Sequence, residues 1–217
     1  MDKKILLETI KKVKESSKKN FVQKIDLVVN LKNLNLKKQE ENVYLFVTLP
    51  YSRGRKIKVC ALVGKELSDE AVVFDKVIKK EEFPDYQDKK LVRKLANEFD
   101  YFVAQGNLMT DVAKYFGKTL GPRNKMPNPK SFGVIATGMN LQDVKSKIEK
   151  TVRLKTKNEA IVKTYIGSQD MDDEKLVENI LACYNSLIHV LPQEEVNVKN
   201  VILKLTMGPI FKIEKKK

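Results

Sequence analysis

Between Lys24 and Leu31 every odd position is apolar, and the even positions are Lys24, Asp26, Val28 and Asn30. Successive side chains of a β-strand point to opposite faces, so this alternation predicts a strand with one buried face. The other face, with Lys24, Asp26 and Asn30, is expected to meet solvent or a ligand. A second alternating run from Val43 to Leu49 predicts another strand, which ends at Pro50.

Two stretches near the chain ends follow the period of a helix instead. Apolar residues between Ile5 and Val13 recur at helical spacing among lysines, which predicts an amphipathic N-terminal helix. A longer apolar stripe runs from Leu176 to Leu191, and acidic residues between 170 and 174 precede it. Negative charge is favourable at a helix N-terminus, so this pattern predicts a long helix whose stripe belongs to the core.

The middle of the chain reads as alternating strands and helices. Strands are predicted at 57–63, 77–78 and 101–104, and helices at 89–98, 108–116 and 141–148. This alternation predicts crossover units and a partly parallel sheet. The connector Tyr51–Arg55 and the change of pattern at Lys150-Thr151 predict domain boundaries that separate residues 54–150 from residues 1–53 and 151–217. Further strands are predicted at 152–155, 160–166 and 198–206, before a basic tail that is expected to be a solvated end.

The charge of the chain favours a polyanionic partner. The 217 residues include 42 basic and 28 acidic side chains, for a formal net charge of +14. Most of the basic residues are lysine, a flexible point charge that suits backbone phosphates better than base edges. Cys60 and Cys183 share no metal-like spacing with His189, so neither a disulfide nor a metal site is expected. The chain has no signal-peptide core and no membrane-length apolar run, which predicts a soluble cytoplasmic protein.

Residues 117–130 combine glycines, prolines and side chains that can contact phosphate. Proline removes backbone donors and restricts the residue before it, so this stretch is predicted to be a shaped, exposed, basic loop without helix. Gly117-Lys118-Thr119 could alternatively end a nucleotide-binding loop, but that loop needs a glycine at position 112, which is Val112. The chain also contains no Gly-x-Gly-x-x-Gly fingerprint, so no cofactor is expected.

The string Leu120-Gly121-Pro122-Arg123, followed by Lys125-Met126-Pro127-Asn128-Pro129, resembles the signature of the L-one family of large-subunit ribosomal proteins in its archaeal form. The later Thr206-Met207-Gly208-Pro209 resembles the turn that follows the last strand in that family. The family usually has glycine where this chain has Asn124. Asparagine is the non-glycine residue that best tolerates a left-handed backbone, so this departure is expected to be harmless.

The resemblance implies a fold of mixed α/β and α+β class: a discontinuous α+β RNA-binding domain, built from 1–53 and 151–217, with an inserted Rossmann-like α/β domain at 54–150. It implies a non-enzymatic part of the large ribosomal subunit. Such a protein would bind large-subunit rRNA in the mobile stalk, assist release of deacylated tRNA at the exit site, and repress translation of its own mRNA. It is expected to be monomeric when free.

Mapped onto this chain, the resemblance predicts an RNA-binding set in the first domain: Phe21, Lys24, Asp26, Asn30, Thr206, Met207, Gly208 and Pro209. A secondary set lies in or beside the signature loop: Lys118, Arg123, Lys125, Asn128 and Lys130. The secondary set is predicted either to contact RNA or tRNA, or to face the first domain across the cleft. Two competing hypotheses stay open, namely a nucleotide-binding α/β enzyme and a free RNA-binding repressor.

Overall fold

The computed structural model describes residues 1–16, 19–38 and 41–213, so the basic tail after Ile213 lies outside the described residues. The chain divides into two compact units. The first unit joins both chain ends, Met1–Arg55 and Lys150–Lys217, and the second unit is Lys56–Glu149. Each unit has a hydrophobic core of its own.

The helices and strands follow one another along the chain. In order they are α1 (Lys3–Glu15), β1 (Lys24–Leu31), β2 (Tyr44–Thr48), β3 (Val59–Val63), β4 (Lys76–Lys79), α2 (Lys89–Glu98), β5 (Tyr101–Gln105), α3 (Met109–Leu120), β6 (Val134–Ile135), α4 (Leu141–Lys150), β7 (Thr151–Lys155), β8 (Ile161–Ser168), α5 (Asp173–Ile188), β9 (Val198–Leu205) and β10 (Ile210–Ile213). Short 3-10 helices lie at Lys65–Leu67, Glu70–Val73, Lys80–Gln87, Gly106–Leu108, Pro129–Ser131 and Glu194–Asn197.

The first unit contains an antiparallel sheet in the order β10-β9-β1-β8. The odd positions of β1 are buried and the even positions are exposed or half-buried, as the alternation predicted. The buried face packs against α1 and α5 in one core. Because β1 lies between β8 and β9, residues from the start of the chain are hydrogen-bonded to two strands from its end.

A second pair of strands, β2 and β7, forms an antiparallel ribbon in the first unit. The fully buried Asn179 of α5 holds the chain just beyond β2: its Oδ1 accepts from Tyr51 N at 3.1 Å, and its Nδ2 donates to Tyr51 O and Ile166 O at 3.2 Å. Gly167 of β8 allows the start of α5 to approach closely. A Cβ at that position would lie 2.5 Å from Leu176 Cδ2.

The second unit contains a parallel sheet in the order β4-β3-β5-β6. All five residues of β3 are buried, as expected for a central parallel strand covered on both faces. Apolar residues of α2 and α3 pack on one face of the sheet, and those of α4 on the other. The predicted mixed α/β class is confirmed, including the parallel sheet in the middle of the chain.

The prediction that residues 117–130 contain no helix was wrong for residues 117–120, which form the last turn of α3, and for Pro129 and Lys130, which begin a short 3-10 helix. The first proline after α3 is Pro122, and it restricts only the residue immediately before it. The buried Leu120 anchors this turn in the core, and Gly121 N donates to Gly117 O at 2.9 Å. Lys118 therefore lies on a helix, and the loop begins at Gly121.

The predicted exposure of this loop was only partly right. Pro127 is buried, and Lys125, Met126 and Asn128 are half-buried. The loop is held against α2 by hydrogen bonds from its own basic side chains, described below. Asn124 has a positive φ of 54°, so the left-handed backbone expected for this residue is present.

Candidate nucleic-acid interface

The sheet of the first unit has a second face, which we call the open face. It consists of Lys24, Asp26, Val28 and Asn30 of β1, their cross-strand neighbours Asn200, Ile202 and Lys204 of β9 and Ile161, Lys163 and Tyr165 of β8, and Ile210 and Lys212 of β10. Residues directly opposite in antiparallel strands point to the same side, which places this set on one surface. Apart from Ile202, all of its members are exposed or half-buried.

The open face is basic. It contains four lysines and a single carboxylate, that of Asp26; the lysines are Lys24, Lys163, Lys204 and Lys212. Asp26 lies opposite Lys204 on one side and Tyr165 on the other. Burial raises the pKa of Asp26 above its ordinary value, and the positive charges of Lys204 and Lys24 partly oppose that shift. An acid that remains in such a basic surface can accept hydrogen bonds from hydroxyl groups.

The predicted turn at Thr206–Pro209 lies beside the start of β1. Leu205 pairs with Ile25, so the end of β9 meets the residues that precede β1. Thr206 N donates to Lys24 O at 3.1 Å, and Met207 N donates to the side-chain Oε1 of Gln23 at 3.1 Å. Gln23 is buried, and its own carbonyl accepts from Gln169 N at 2.9 Å. Gln23 thus ties together three segments that are distant in sequence.

This junction exposes a group of large apolar side chains. Met207 is 65% exposed, Ile210 62%, Val22 59% and Phe21 56%. Apolar side chains exposed together beside a charged surface are typical of interaction sites. Position 208 favours glycine for a steric reason, because a Cβ there would lie 3.0 Å from Leu205 Cβ.

Tyr165 and Arg53 complete the end of the open face near Lys24. The Tyr165 hydroxyl donates to Arg53 O at 2.6 Å, and the Arg53 guanidinium lies 5.7 Å from the centre of the Tyr165 ring. Lys24 Nζ lies 5.5 Å from the same ring. Burial raises the pKa of Tyr165, and Arg53 and Arg55 oppose this shift. The connector after β2 is therefore fixed to the open face.

Asn30 lies at the other end of β1, roughly 20 Å from Lys24 at the usual rise per residue. Its Nδ2 donates to the side-chain Oδ1 of Asn200 at 2.6 Å. The structure thus brings all predicted first-domain residues to one unit. Phe21, Lys24, Asp26 and the Thr206–Pro209 turn lie at one end of the open face, and Asn30 lies at the opposite end.

The secondary residues all belong to the second unit, and several of them hold the signature loop in place. Lys125 Nζ donates to Ala96 O at 2.8 Å and to Phe99 O at 2.7 Å. Arg123 donates to Asn97 Oδ1 at 2.5 Å. The side chain of Asn128 accepts from Lys130 N at 2.9 Å and caps the short helix Pro129–Ser131. Lys118 and Lys130 are exposed.

Sequence reasoning missed Val22, Gln23, Tyr165 and Ile210. Ile210 and Lys212 could have been found from strand alternation, because both lie on the face opposite the buried Ile213. Val22 directly follows the predicted Phe21. Gln23 and Tyr165 act through contacts with segments far away in sequence, which local pattern does not reveal.

The cysteines are buried in separate cores, Cys60 in the second unit and Cys183 in the first. Burial raises the pKa of each thiol to about 12. Within residues 1–16, 19–38 and 41–213, no group of three or more His, Cys, Asp or Glu side chains is placed to hold a metal ion. None of the helices in these ranges has the length and apolar character needed to cross a bilayer.

A lysine-rich sheet face with an exposed apolar corner is typical of proteins that bind polyanions. Comparison with known proteins narrows this class to one family. Residues 13–209 match the profile of the Ribosomal protein L1p/L10e family, and the chain belongs to that family.

Three archaeal relatives, each called large ribosomal subunit protein uL1, show the extent of the similarity. The protein of Thermococcus kodakarensis is 39% identical, and the match covers 99% of each chain. That of Methanothermobacter thermautotrophicus is 35% identical over 96% of this chain and 98% of its own. That of Methanocaldococcus jannaschii is 32% identical over 100% of this chain and 98% of its own. The similarity therefore includes both units.

Proposed function

We propose that this protein is a structural constituent of the large ribosomal subunit and binds large-subunit rRNA through the open face and the Thr206–Pro209 turn. One observation carries the proposal: Gln23 joins the turn to the start of β1, so that exposed Met207 stands beside a lysine-rich sheet. Membership in a ribosomal protein family and the uL1 relatives support it. The first unit is the RNA anchor, and the second unit is carried on its two chain connections.

The residues of this surface have complementary roles in the proposed complex. Lys24, Lys163 and Lys204 neutralise backbone phosphates and release counterions. Asp26 accepts hydrogen bonds from ribose 2′-hydroxyls, a contact that DNA does not offer. Met207 and Phe21 pack against ribose or an unstacked base. Folded RNA is recognised mainly by shape, phosphates and 2′-hydroxyls, so most of the contacts are directed at the backbone.

Within the cytoplasmic ribosome, we assign this complex to the mobile stalk beside the tRNA exit site, where the protein assists release of deacylated tRNA. The same surface serves the regulatory role. A similar RNA element in the protein's own mRNA binds the open face and blocks translation. Because one surface holds one RNA at a time, rRNA and mRNA compete, and repression begins only when rRNA sites are filled.

A binding titration tests the central claim. A stalk-type rRNA fragment and an unrelated RNA hairpin are compared at about 0.15 M salt, where non-specific binding is weak. The proposal expects much tighter binding of the stalk-type fragment, and equal affinities would leave only generic attraction to polyanions. Competition with the mRNA element, measured on the same labelled rRNA fragment, tests the regulatory role.

Two further measurements separate the competing hypotheses. A nucleotide-binding enzyme would show micromolar affinity for a nucleotide in calorimetry, and we expect none. A free repressor would stay in the soluble fraction when large subunits are sedimented from cells, whereas a ribosomal constituent sediments with them.

A further inference from the structure

A basic groove runs between α2 and α3 of the second unit. Two cavities of about 240 and 490 Å³ adjoin there and share Lys89, Lys118 and Thr119 in their linings. We call them together the α2–α3 groove. The other basic residues of its lining are Arg93, Lys114 and Arg123. Both helices contribute, because Lys89 and Arg93 lie on α2 and Lys114 and Lys118 on α3.

The lining of the groove contains no acidic residue. Two acids near it in sequence are engaged elsewhere: Asp88 accepts from Lys90 N at the start of α2, and Asp111 pairs with Lys80 at 3.2 Å. Among the described residues, neither Lys89 nor Lys118 has a carboxylate partner within ion-pair distance. Like charges gathered without partners repel one another, so an anion in the groove stabilises them.

One cation of the groove is held in place before any ligand binds. The Arg123 guanidinium donates to Asn97 Oδ1 at 2.5 Å and to Arg93 O at 3.4 Å. Cations from both helices thus line the groove, and the position of Arg123 among them is fixed by hydrogen bonds. Lysine suits phosphate as a point charge, and a channel formed by two adjoining cavities suits consecutive phosphates of a strand better than one small anion.

We propose that the α2–α3 groove binds the backbone phosphates of an RNA segment, as a second site separate from the open face. It lies in the second unit, whereas the open face lies in the first. The two sites are therefore tested separately, and failure of one leaves the other untouched. The partner follows from the charge and shape of the groove together with the ribosomal family of the chain.

The test uses the full-length protein, labelled with ¹⁵N and titrated with a short RNA duplex of unrelated sequence, with amide shifts read by NMR. Lys114 and Thr119 report on the groove, and Met207 reports on the turn. We expect the Lys114 and Thr119 amide signals to shift and to reach saturation as RNA is added. The double variant Lys89→Gln/Lys118→Gln removes two phosphate contacts from the groove.

Each phosphate contact changes the slope of log affinity against log salt by about 0.7 to 0.9. Losing two contacts therefore weakens binding at the groove amides about 10- to 30-fold at about 0.15 M salt. The matched control is Lys90→Gln/Lys94→Gln, which removes the same charge from exposed positions of α2 that do not line the groove. We expect it to weaken binding less than about threefold.

Three results would overturn the proposal. In the first, the Lys114 and Thr119 amides do not shift at saturating RNA. In the second, both double variants weaken binding equally, which indicates that only the net charge of the protein matters. In the third, a poly-glutamate peptide shifts the groove amides as strongly as RNA does, which makes the groove a site for acidic protein segments. The Met207 amide, read in the same spectra, reports on the open-face site independently.

Discussion

Replacing Met207 with aspartate should weaken specific RNA binding strongly and leave the fold intact. The side chain is 65% exposed in the free protein, and the turn is held through the Met207 backbone amide rather than its side chain. Fully burying a methionine side chain contributes about 1.5 to 3 kcal/mol, so the exposed part offers about 1 to 2 kcal/mol on RNA contact. The variant loses this contribution entirely.

The new carboxylate adds a second loss, because it approaches RNA phosphates. Repulsion between like charges a few ångströms apart near a protein surface costs about 1 to 2 kcal/mol after screening by salt. Together the two effects weaken binding by about 2 to 4 kcal/mol, or about 30- to 700-fold in the dissociation constant. Met207→Ala, which loses only the apolar contact, should weaken binding by about 1 to 2 kcal/mol.

The assay is a fluorescence titration of a stalk-type rRNA fragment, with a thermal melt of each free variant. Val72→Asp is the matched control, because Val72 is 73% exposed and belongs to the second unit, so the same charge appears away from the turn. We expect the control to bind RNA as the wild type does. Met207→Asp, Met207→Ala and Val72→Asp should all melt within a few degrees of the wild type. Wild-type affinity in Met207→Asp would remove the turn from the binding site.

The remaining predictions concern three single residues. Asp26→Asn should weaken binding of stalk-type rRNA, because the carboxylate that accepts from 2′-hydroxyls is replaced. The same change should raise affinity for duplex DNA, because a negative charge is lost. Parallel titrations in which both affinities rose would contradict this. Burial raises the pKa of Asp26, so its ionised form costs folding free energy above the folded pKa. The same variant should therefore raise the melting temperature at pH 7, and this gain should vanish as pH falls below the ordinary carboxyl value. Gly167→Ala should cost about 1 to 3 kcal/mol of unfolding free energy in urea, because its Cβ would lie 2.5 Å from Leu176; an unchanged midpoint would show that α5 shifts freely. Asn179→Ala should cost about 3 kcal/mol in the same assay, since it leaves polar groups of Tyr51 and Ile166 without their partner, and a loss under about 1 kcal/mol would mean that water replaces the amide.

Sequence pattern predicted those elements whose causes are local. The alternation of β1 and the amphipathic pattern of α2 reproduce the observed elements within about a residue, because burial of one face sets the period of each. Asn124 was interpreted correctly because the left-handed backbone is a property of one residue. The end of α3 was misplaced because a proline at 122 was given influence over residues that it does not restrict.

The residues that make up the candidate surface could be predicted only in part from the sequence, for a physical reason. Single residues of the turn and of β1 were identified from resemblance and alternation. Gln23, which connects them, could not be identified, because its side chain acts on a residue 184 positions away. Tyr165 likewise acts through Arg53, 112 positions earlier in the chain. Periodicity records which face a residue occupies, and it carries no information about which distant strand lies alongside.

The central place of β1 in its sheet has a consequence for biosynthesis. The strand leaves the translating ribosome early, but its neighbours β8 and β9 are added only after the whole second unit. At about 5 to 20 residues per second, β1 waits roughly 10 to 35 s for its last partner. The second unit is continuous and can fold during that interval. A nascent chain therefore has no open face, and the RNA binding that we propose for that face can arise only when translation is nearly complete.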